Sequence, residues 1–340
     1  MKAFYGRQGL IAHLTNPVRI SPILFDFRGV MKFLKTCMAS FLLVSMAYAM
    51  PLNSAARTCV PADLLQLISV DYRALKDSPT AMALKTQLMP DNIKQFEAAL
   101  KSIGLDPDRD VDTLTFASFR TGKQGVKTVG VASGPFNTKA ILKKMKLQKY
   151  VPKKYGNSEI YPMDGGFVMS FLDDSSLLFG DMTALKASLD TKDGTVAGLD
   201  SNGTMADMMT SVDSAPVWSI LDQQGTQNMM RSALGDASKI ADYETIKKRL
   251  TGSRYTMNFN SGVNFDLTVV TSDSMTAGTM ASLVKAGIQF KKMSATPAEK
   301  VAVDNTTVDS DGSNLGVHFK ANDQQFQSLM HSDLFAAVSH

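Results

Sequence analysis

The chain has 340 residues, of which 44% are apolar and 20% are charged. This composition is that of an ordinary globular protein, and it excludes disorder along the whole chain. The net charge of +4 is concentrated at the N-terminus, because residues 1–49 hold six of the 36 Lys and Arg residues but one of the 32 acids. The rest of the chain, with 30 basic and 31 acidic residues, is nearly neutral, so the charge balance predicts no nucleic-acid partner.

Residues 31–49 contain the three parts of an export signal in order. A short positive segment begins at Met31, an uncharged and mostly apolar run of 13 residues follows, and a small-x-small cleavage pattern ends at Ala49. The run is shorter than the roughly 20 apolar residues that cross a bilayer. We therefore expect cleavage between Ala49 and Met50, with an uncleaved anchor or a buried helix as the alternatives. The released protein is expected to be periplasmic or secreted and to have no membrane span.

Residues 1–30 precede this signal and carry four positive residues, one acid and two prolines. We interpret them as a mis-annotated extension, with Met31 as the true first residue. An organelle transit peptide is the alternative, but it would not need an apolar signal behind it.

Removal of the signal leaves Cys59 as the single cysteine, because Cys37 lies within the signal. One cysteine cannot form an internal disulfide, a CxxC pair or a thiolate-rich zinc site. We interpret Cys59 as a bystander near the new N-terminus.

The remaining chain begins with alternating strand and helix patterns. An apolar run over 64–72 is followed by helical periodicity that ends at Gly104, where glycine is typical of a C-terminal cap. The later segments of this half are strands over 114–120 and 127–133, a helix over 137–146, strands over 158–163, 166–172 and 176–181, and a helix over 182–190.

The second half repeats the order of these patterns. Its segments are a strand over 215–222, helices over 226–234 and 243–250, a hairpin over 253–273 with Ser261 and Gly262 at its turn, a helix over 275–293, a second hairpin over 305–321 and a helix over 323–335. This order predicts an α+β fold made of two similar units of antiparallel sheet with helices packed on one face.

A turn-rich stretch around 191–212 marks the boundary between the two units, which we place at 50–195 and 210–340. Whether they form two domains or one pseudo-symmetric domain stays open. The order of elements behind an export signal resembles exported bacterial proteins of unknown function built from two α+β units. The resemblance brings no known active site with it.

The common catalytic motifs HExxH, GxSxG, GxGxxG and GxxxxGK[ST] are missing. Beyond the signal, the histidines are His318, His331 and His340. His318 alternates with apolar residues in a predicted strand, so we interpret it as a satisfied or exposed strand residue rather than a ligand or base. Ser282 and Lys285 match SxxK, but the accompanying SDN and KTG motifs are missing, which favours an exposed helix face. We predict no catalytic residue, metal site or cofactor.

Methionine is unusually frequent, with 17 residues after the signal and clusters at Met205, Met208–Met209 and Met229–Met230. Thioethers bind Cu(I) in some exported proteins. They also fill irregular cores and line adaptable apolar grooves, which is the interpretation we favour here.

Seven lysines lie within residues 139–154. On a helix, Lys139, Lys143 and Lys146 share one face while three apolar residues supply the other. These three lysines are candidate contacts for anionic lipid or polysaccharide, but a solvated helix face is the interpretation we favour.

These observations lead to three hypotheses. The first is a non-catalytic exported protein that binds an apolar or lipid-like ligand, or a component of the cell envelope. The second is a structural or interaction protein of the envelope without a ligand pocket. A hydrolase is held in reserve.

Overall fold

The computed structural model describes residues 51–89, 91–234 and 243–330. The expected export signal, its cleavage site at Ala49 and Met50, and the histidines His331 and His340 lie outside these residues.

Twelve strands occur in the described part of the chain. They are β1 Leu64–Asp71, β2 Thr113–Arg120, β3 Val126–Ser133, β4 Lys153–Tyr155, β5 Ser158–Pro162, β6 Val168–Phe171, β7 Ser176–Gly180, β8 Val217–Leu221, β9 Leu250–Asn258, β10 Val263–Thr271, β11 Thr306–Asp311 and β12 Asn314–Ala321.

The same residues form thirteen α-helices. They are α1 Ser54–Cys59, α2 Tyr72–Leu75, α3 Pro79–Leu88, α4 Asp91–Ser102, α5 Pro107–Asp110, α6 Thr138–Leu147, α7 Met182–Lys192, α8 Gly203–Thr210, α9 Gln223–Leu234, α10 Tyr243–Lys247, α11 Ser274–Ser294, α12 Pro297–Asp304 and α13 Asp323–Met330.

All strands belong to one antiparallel sheet in the order β11-β12-β10-β9-β8-β1-β2-β3-β7-β6-β5-β4. The halves of the chain meet where β1 pairs with β8, for example at Val70 opposite Val217. The predicted α+β class and antiparallel pairing are therefore confirmed. Counted outward from β1 and β8, the strands of the two halves follow a similar order in the sheet. A duplication of units stays a prediction.

Helices lie on both faces of the sheet, whereas the sequence predicted them on one. In β8, the side chains of Val217 and Leu221 enter one apolar cluster and those of Trp218 and Ile220 enter another. Because the central strands are apolar on both sides, each face needs its own cover. The first cluster, here called the large core, packs the sheet against α2–α4, α6, α9–α11 and α13; the second, here called the small core, packs it against α1, α7 and α8.

The small core contains two segments for which the sequence predicted no such role. Cys59 ends α1 and is fully buried in this core, so the interpretation as a bystander is wrong. Burial raises the pKa of the Cys59 thiol to about 12. The predicted turn-rich boundary contains α8, whose Met205, Met208 and Met209 are buried beside the sheet.

Most methionines of the described chain fill the two cores, as one part of the sequence interpretation proposed. The buried ones are Met145, Met163, Met169, Met205, Met208, Met209, Met229, Met230, Met257, Met280 and Met330. Their unbranched thioethers fill irregular gaps between helices and sheet.

Candidate functional site

Helix α6 presents lysines to solvent because its apolar residues are taken up by the large core. The side chain of Asn137 caps the helix by accepting a hydrogen bond from the backbone N–H of Ala140, at 3.1 Å. Ile141 and Met145 are buried, while Lys143 and its lysine neighbours on the opposite side are exposed. The periodicity of the sequence therefore determines which side of this helix meets water.

The C-terminus of α6 ends at a lysine in the left-handed conformation. Lys149 has φ = 63°, a region that glycine enters more readily than a residue with a Cβ. Its N–H donates to the carbonyl of Lys146, and the N–H of Tyr150 donates to that of Met145, at 3.1 and 3.0 Å. These two bonds form a Schellman cap, with lysine at the position where glycine is usual.

A two-stranded hairpin follows and is anchored on the small-core side. β4 and β5 pair with Tyr155 opposite Ser158, around a turn at Gly156, where φ is +54°. The Tyr155 hydroxyl donates to the carboxylate of Asp190 on α7, at 3.0 Å. Tyr150, before the hairpin, packs against the large core. Contacts to both cores thus hold the segment in place.

Seven exposed lysines lie on α6 and β4 and in the connection between them. We call them the lysine surface: Lys139, Lys143, Lys144, Lys146, Lys149, Lys153 and Lys154. Within the described residues none of them forms an ion pair, and residues 113–158 contain ten Lys and Arg but no Asp or Glu. Ion pairs within the described residues therefore do not neutralise these lysines, although Glu159 on β5 lies opposite Lys154 on β4.

Two exposed apolar side chains lie among these lysines. Leu147, the last residue of α6, is 76% exposed, and Val151 is 73% exposed. We call this pair the apolar tip. Isolated apolar residues are common on protein surfaces, but these two occur within the segment of highest positive charge.

The structure places Lys139, Lys143 and Lys146 on the exposed side of α6, as the helical spacing predicted. Their contact with an anionic ligand stays a prediction. The apolar tip was not predicted from the sequence, because helical periodicity cannot show that Leu147 lies beyond the edge of the core. The left-handed conformation of Lys149 was not predicted from the sequence either, because no glycine marks that position.

His318 lies on the face of β12 opposite its apolar neighbours, as predicted. Its Nδ1 is 2.6 Å from Oδ1 of Asp266 on β10, and its Nε2 is 3.1 Å from Oδ2 of Asp309 on β11. The hydrogen bond to Asp266 raises the pKa of His318; partial burial opposes this, and the charges of both carboxylates add to it. Gly316 leaves room for the pairing, since a Cβ there would lie 2.5 Å from the Asp309 carboxylate.

A second polar cluster closes the large core near α3. The buried Lys85 Nζ donates to the Tyr72 hydroxyl at 2.6 Å and to Asp108 Oδ1 at 2.8 Å, and lies 3.0 Å from Glu97 Oε1. Partial burial would raise the pKa of Asp108, but the hydrogen bonds from Lys85 and Tyr72 outweigh it and lower the pKa to about 2. Because Lys85 has a partner for each of its donors, we assign this cluster a structural role.

The SxxK pair does not form a nucleophile and base. Ser282 Oγ donates to the backbone carbonyl of Gly278 at 2.9 Å, within its own helix, and Lys285 is exposed. In the ranges that the structure describes, no set of three or more His, Cys, Asp or Glu side chains is arranged to hold a metal ion.

Two concave regions occur near the lysine surface and near β3. One is a cavity of about 190 Å³ beside Ile141 and Lys144, and the other is an open groove of about 330 Å³ beside Lys127 and Phe167. Neither is lined by methionine. Ligand pockets for drug-sized molecules span roughly 300 to 1,000 Å³ and enclose most of the ligand.

Among the described helices, none combines the length and apolar character of a membrane span.

No protein-family model matches the chain, and no curated protein matches its sequence. Solved structures with similarity to it include "Structure of crystal form I of TP0453", at a TM-score of 0.46 and 10% identity, covering 81% of this chain and 95% of that chain. Another is "Structure of crystal form IV of TP0453", at a TM-score of 0.42 and 11% identity, covering 84% of this chain and 97% of that chain.

Proposed function

We propose that this is an exported, non-catalytic protein that binds an anionic component of the cell envelope through its lysine surface. The observation that carries the proposal is the set of seven exposed lysines that form no ion pair within the described residues. Uncompensated charges of one sign raise the local concentration of an oppositely charged partner and speed its association.

Several lysines outside this surface form ion pairs within the described residues. Lys127 pairs with Asp181 at 3.1 Å, and Lys292 pairs with Asp304 at 2.5 Å. The lysine at the αL position of the α6 cap supports the proposal as well. A non-glycine residue is disfavoured there by roughly 1 kcal/mol, and Lys149 adds a seventh charge to the surface.

The chemistry of the described residues supports a non-catalytic role. His318 faces carboxylates at both ring nitrogens, and the Ser282 hydroxyl is engaged by its own helix. The Cys59 thiol is buried and its pKa is raised, which disfavours the reactive thiolate.

The second hypothesis, an interaction protein without a ligand pocket, is favoured by the position of the methionines. Met208, Met209 and Met230 pack in the cores and line neither of the two concave regions. Within the described residues, these methionines therefore do not support an apolar ligand in a methionine-lined groove. A surface that binds an envelope component needs no pocket. Both hypotheses therefore place the functional residues on the protein surface.

A salt titration of binding tests the proposal. We expect the protein to bind vesicles of phosphatidylglycerol and phosphatidylcholine, or the anionic polysaccharide heparin, at low ionic strength and to dissociate as salt is added, because the screening length falls to about 3 Å at 1 M. Each lysine near an anionic lipid surface contributes about 1 kcal/mol. The triple variant Lys139→Gln, Lys143→Gln, Lys146→Gln should therefore bind vesicles roughly 100-fold more weakly.

The matched control removes three exposed lysines elsewhere, with Lys248→Gln, Lys285→Gln and Lys300→Gln. It changes the net charge equally and should retain most of the binding. If the two triple variants lose binding equally, net charge alone accounts for the binding and the lysine surface has no special role. If the protein binds neither vesicles nor heparin at low salt, the proposal is overturned.

A further inference from the structure

We infer that the anionic partner of the lysine surface is a lipid bilayer, and that Leu147 and Val151 enter its interfacial region. This inference rests on the proposed function and names the partner of the same site. The distinguishing feature is the apolar tip, since lysines alone are suited to any polyanion.

A soluble anionic polymer offers the protein charges but little apolar surface. On such a partner, Leu147 and Val151 would stay about three-quarters exposed to water. At a bilayer they would exchange water for acyl chains, which is favourable in proportion to the apolar area removed from water. The tip therefore favours a partner that is both charged and apolar.

The arrangement of the lysines fits a bilayer as well. Lysine side chains have long apolar stems, so they extend along an apolar surface while the ammonium group remains at headgroup level. Lys146 precedes Leu147 in the last turn of α6, and Lys149 and Lys153 lie on either side of Val151. Each apolar side chain thus has charged groups close to it in the chain that can contact lipid phosphates.

The tip is held by ordered structure on both sides, which limits the entropy lost on binding. The carbonyl of Met145 accepts from the N–H of Tyr150, and both of these side chains pack in the large core. Leu147 and Val151 are therefore presented by a cap with a defined geometry.

Two other strongly exposed apolar residues, Met275 and Met293, lie in different surroundings. Met275 is 77% exposed, but it lies in the first turn of α11, which Asp273 caps, and no lysine lies within nine residues of it on the C-terminal side. The exposed Met293 follows Lys292, whose ammonium group is paired with Asp304. Met275 therefore supplies a matched control for the removal of exposed apolar surface.

The experiment measures partition of the full protein, purified after export from its host, onto two probes. The first is vesicles of phosphatidylcholine with phosphatidylglycerol, and the second is heparin as a soluble anionic polymer. We expect the double variant Leu147→Ser, Val151→Ser to bind vesicles about tenfold more weakly and to bind heparin as the wild type does. Met275→Ser should change neither measurement.

A fluorescent variant gives a second readout that does not depend on affinity. Trp218, the single tryptophan, is buried in the small core. In Leu147→Trp the added indole should shift its emission to shorter wavelength on anionic vesicles and be quenched by brominated lipid, whereas heparin should produce neither change.

The outcomes distinguish insertion into a bilayer from electrostatic binding to a polyanion. Vesicle binding that is unchanged in the double serine variant, or a Trp at position 147 that brominated lipid does not quench, would overturn insertion and leave an electrostatic surface. Binding to heparin without binding to vesicles would overturn the bilayer as the partner but keep the proposed function. Binding to neither probe would overturn both.

Discussion

Asp266 on β10 lies directly opposite His318 on β12, and its Oδ1 is 2.6 Å from Nδ1 of the imidazole ring. Asp309 approaches the other ring nitrogen from β11. The protonated ring donates to both carboxylates, whereas a neutral ring has one N–H and loses one of the two bonds. The three strands therefore hold a charge arrangement that depends on the protonation of one residue.

We predict that His318 titrates above its ordinary pKa of about 6.5 in the folded protein. Because the folded pKa is raised, the stabilisation is fully present below about pH 6.5 and is lost as the pH rises through the folded value. The effect on the free energy of unfolding should stay below about 1 kcal/mol, since all three side chains are partly exposed. NMR titration of the imidazole, assigned with His318→Gln, measures it. Asp266→Asn should lower the pKa, and an unchanged titration would contradict the pairing.

Replacement of Lys85 should destabilise the large core. Lys85→Met leaves the carboxylates of Glu97 and Asp108 without their shared cation, and we expect a loss of about 2 to 3 kcal/mol in the free energy of unfolding. Urea denaturation measures the change. Lys94→Met removes a lysine whose pair with Asp91 is exposed, so it should cost less than about 0.5 kcal/mol. Equal effects of the two variants would refute the structural role of Lys85.

A pair of glycine substitutions tests the packing of the sheet. Gly130 on β3 lies opposite Phe179 on β7, and a Cβ at Gly130 would lie 2.2 Å from the ring. Because this ring also stacks on Phe96 in the large core, Gly130→Ala should destabilise the protein by about 1 to 3 kcal/mol. Gly278→Ala, on helix α11, meets nothing within 4 Å and should stabilise by about 0.5 to 1 kcal/mol. Thermal unfolding of the two variants should shift in opposite directions, and a common direction would contradict the packing described here.

Cys59 should be unreactive in the native state. Its side chain is fully buried in the small core and its thiol pKa is raised to about 12, so very little thiolate exists at pH 8 and reagents have no access to it. Alkylation followed by mass spectrometry of the Cys59 peptide should show labelling in about 6 M guanidinium and almost none in buffer. Rapid labelling of the native protein would show that α1 does not stay packed on the sheet.

The export prediction is tested at the N-terminus of the protein isolated from its host. Cleavage after the small-x-small pattern should make Met50 the first residue. N-terminal sequencing decides the matter, and a protein that begins at Met1 or Met31 would contradict a cleaved signal.

Periodic patterns in the sequence were sufficient to predict the α+β class, most strands, and the lysine-bearing side of α6. Each depends on residues within a few positions of one another, since helix and strand periods are local properties. The exposed position of His318 followed in the same way from its alternation with Val317 and Phe319 in β12. The export signal is likewise a local pattern, and it stays a prediction.

The tertiary structure decided what depends on residues far apart in the chain. The pairing of β1 with β8 makes one sheet of the two halves and buries its central strands on both faces, so that α1 with Cys59 and α8 became parts of a second core. The carboxylates at His318 come from other strands, and the exposure of Leu147 and Val151 depends on where the large core ends. No local period contains this information, because burial and charge pairing are set by contacts that exist only after the chain has folded.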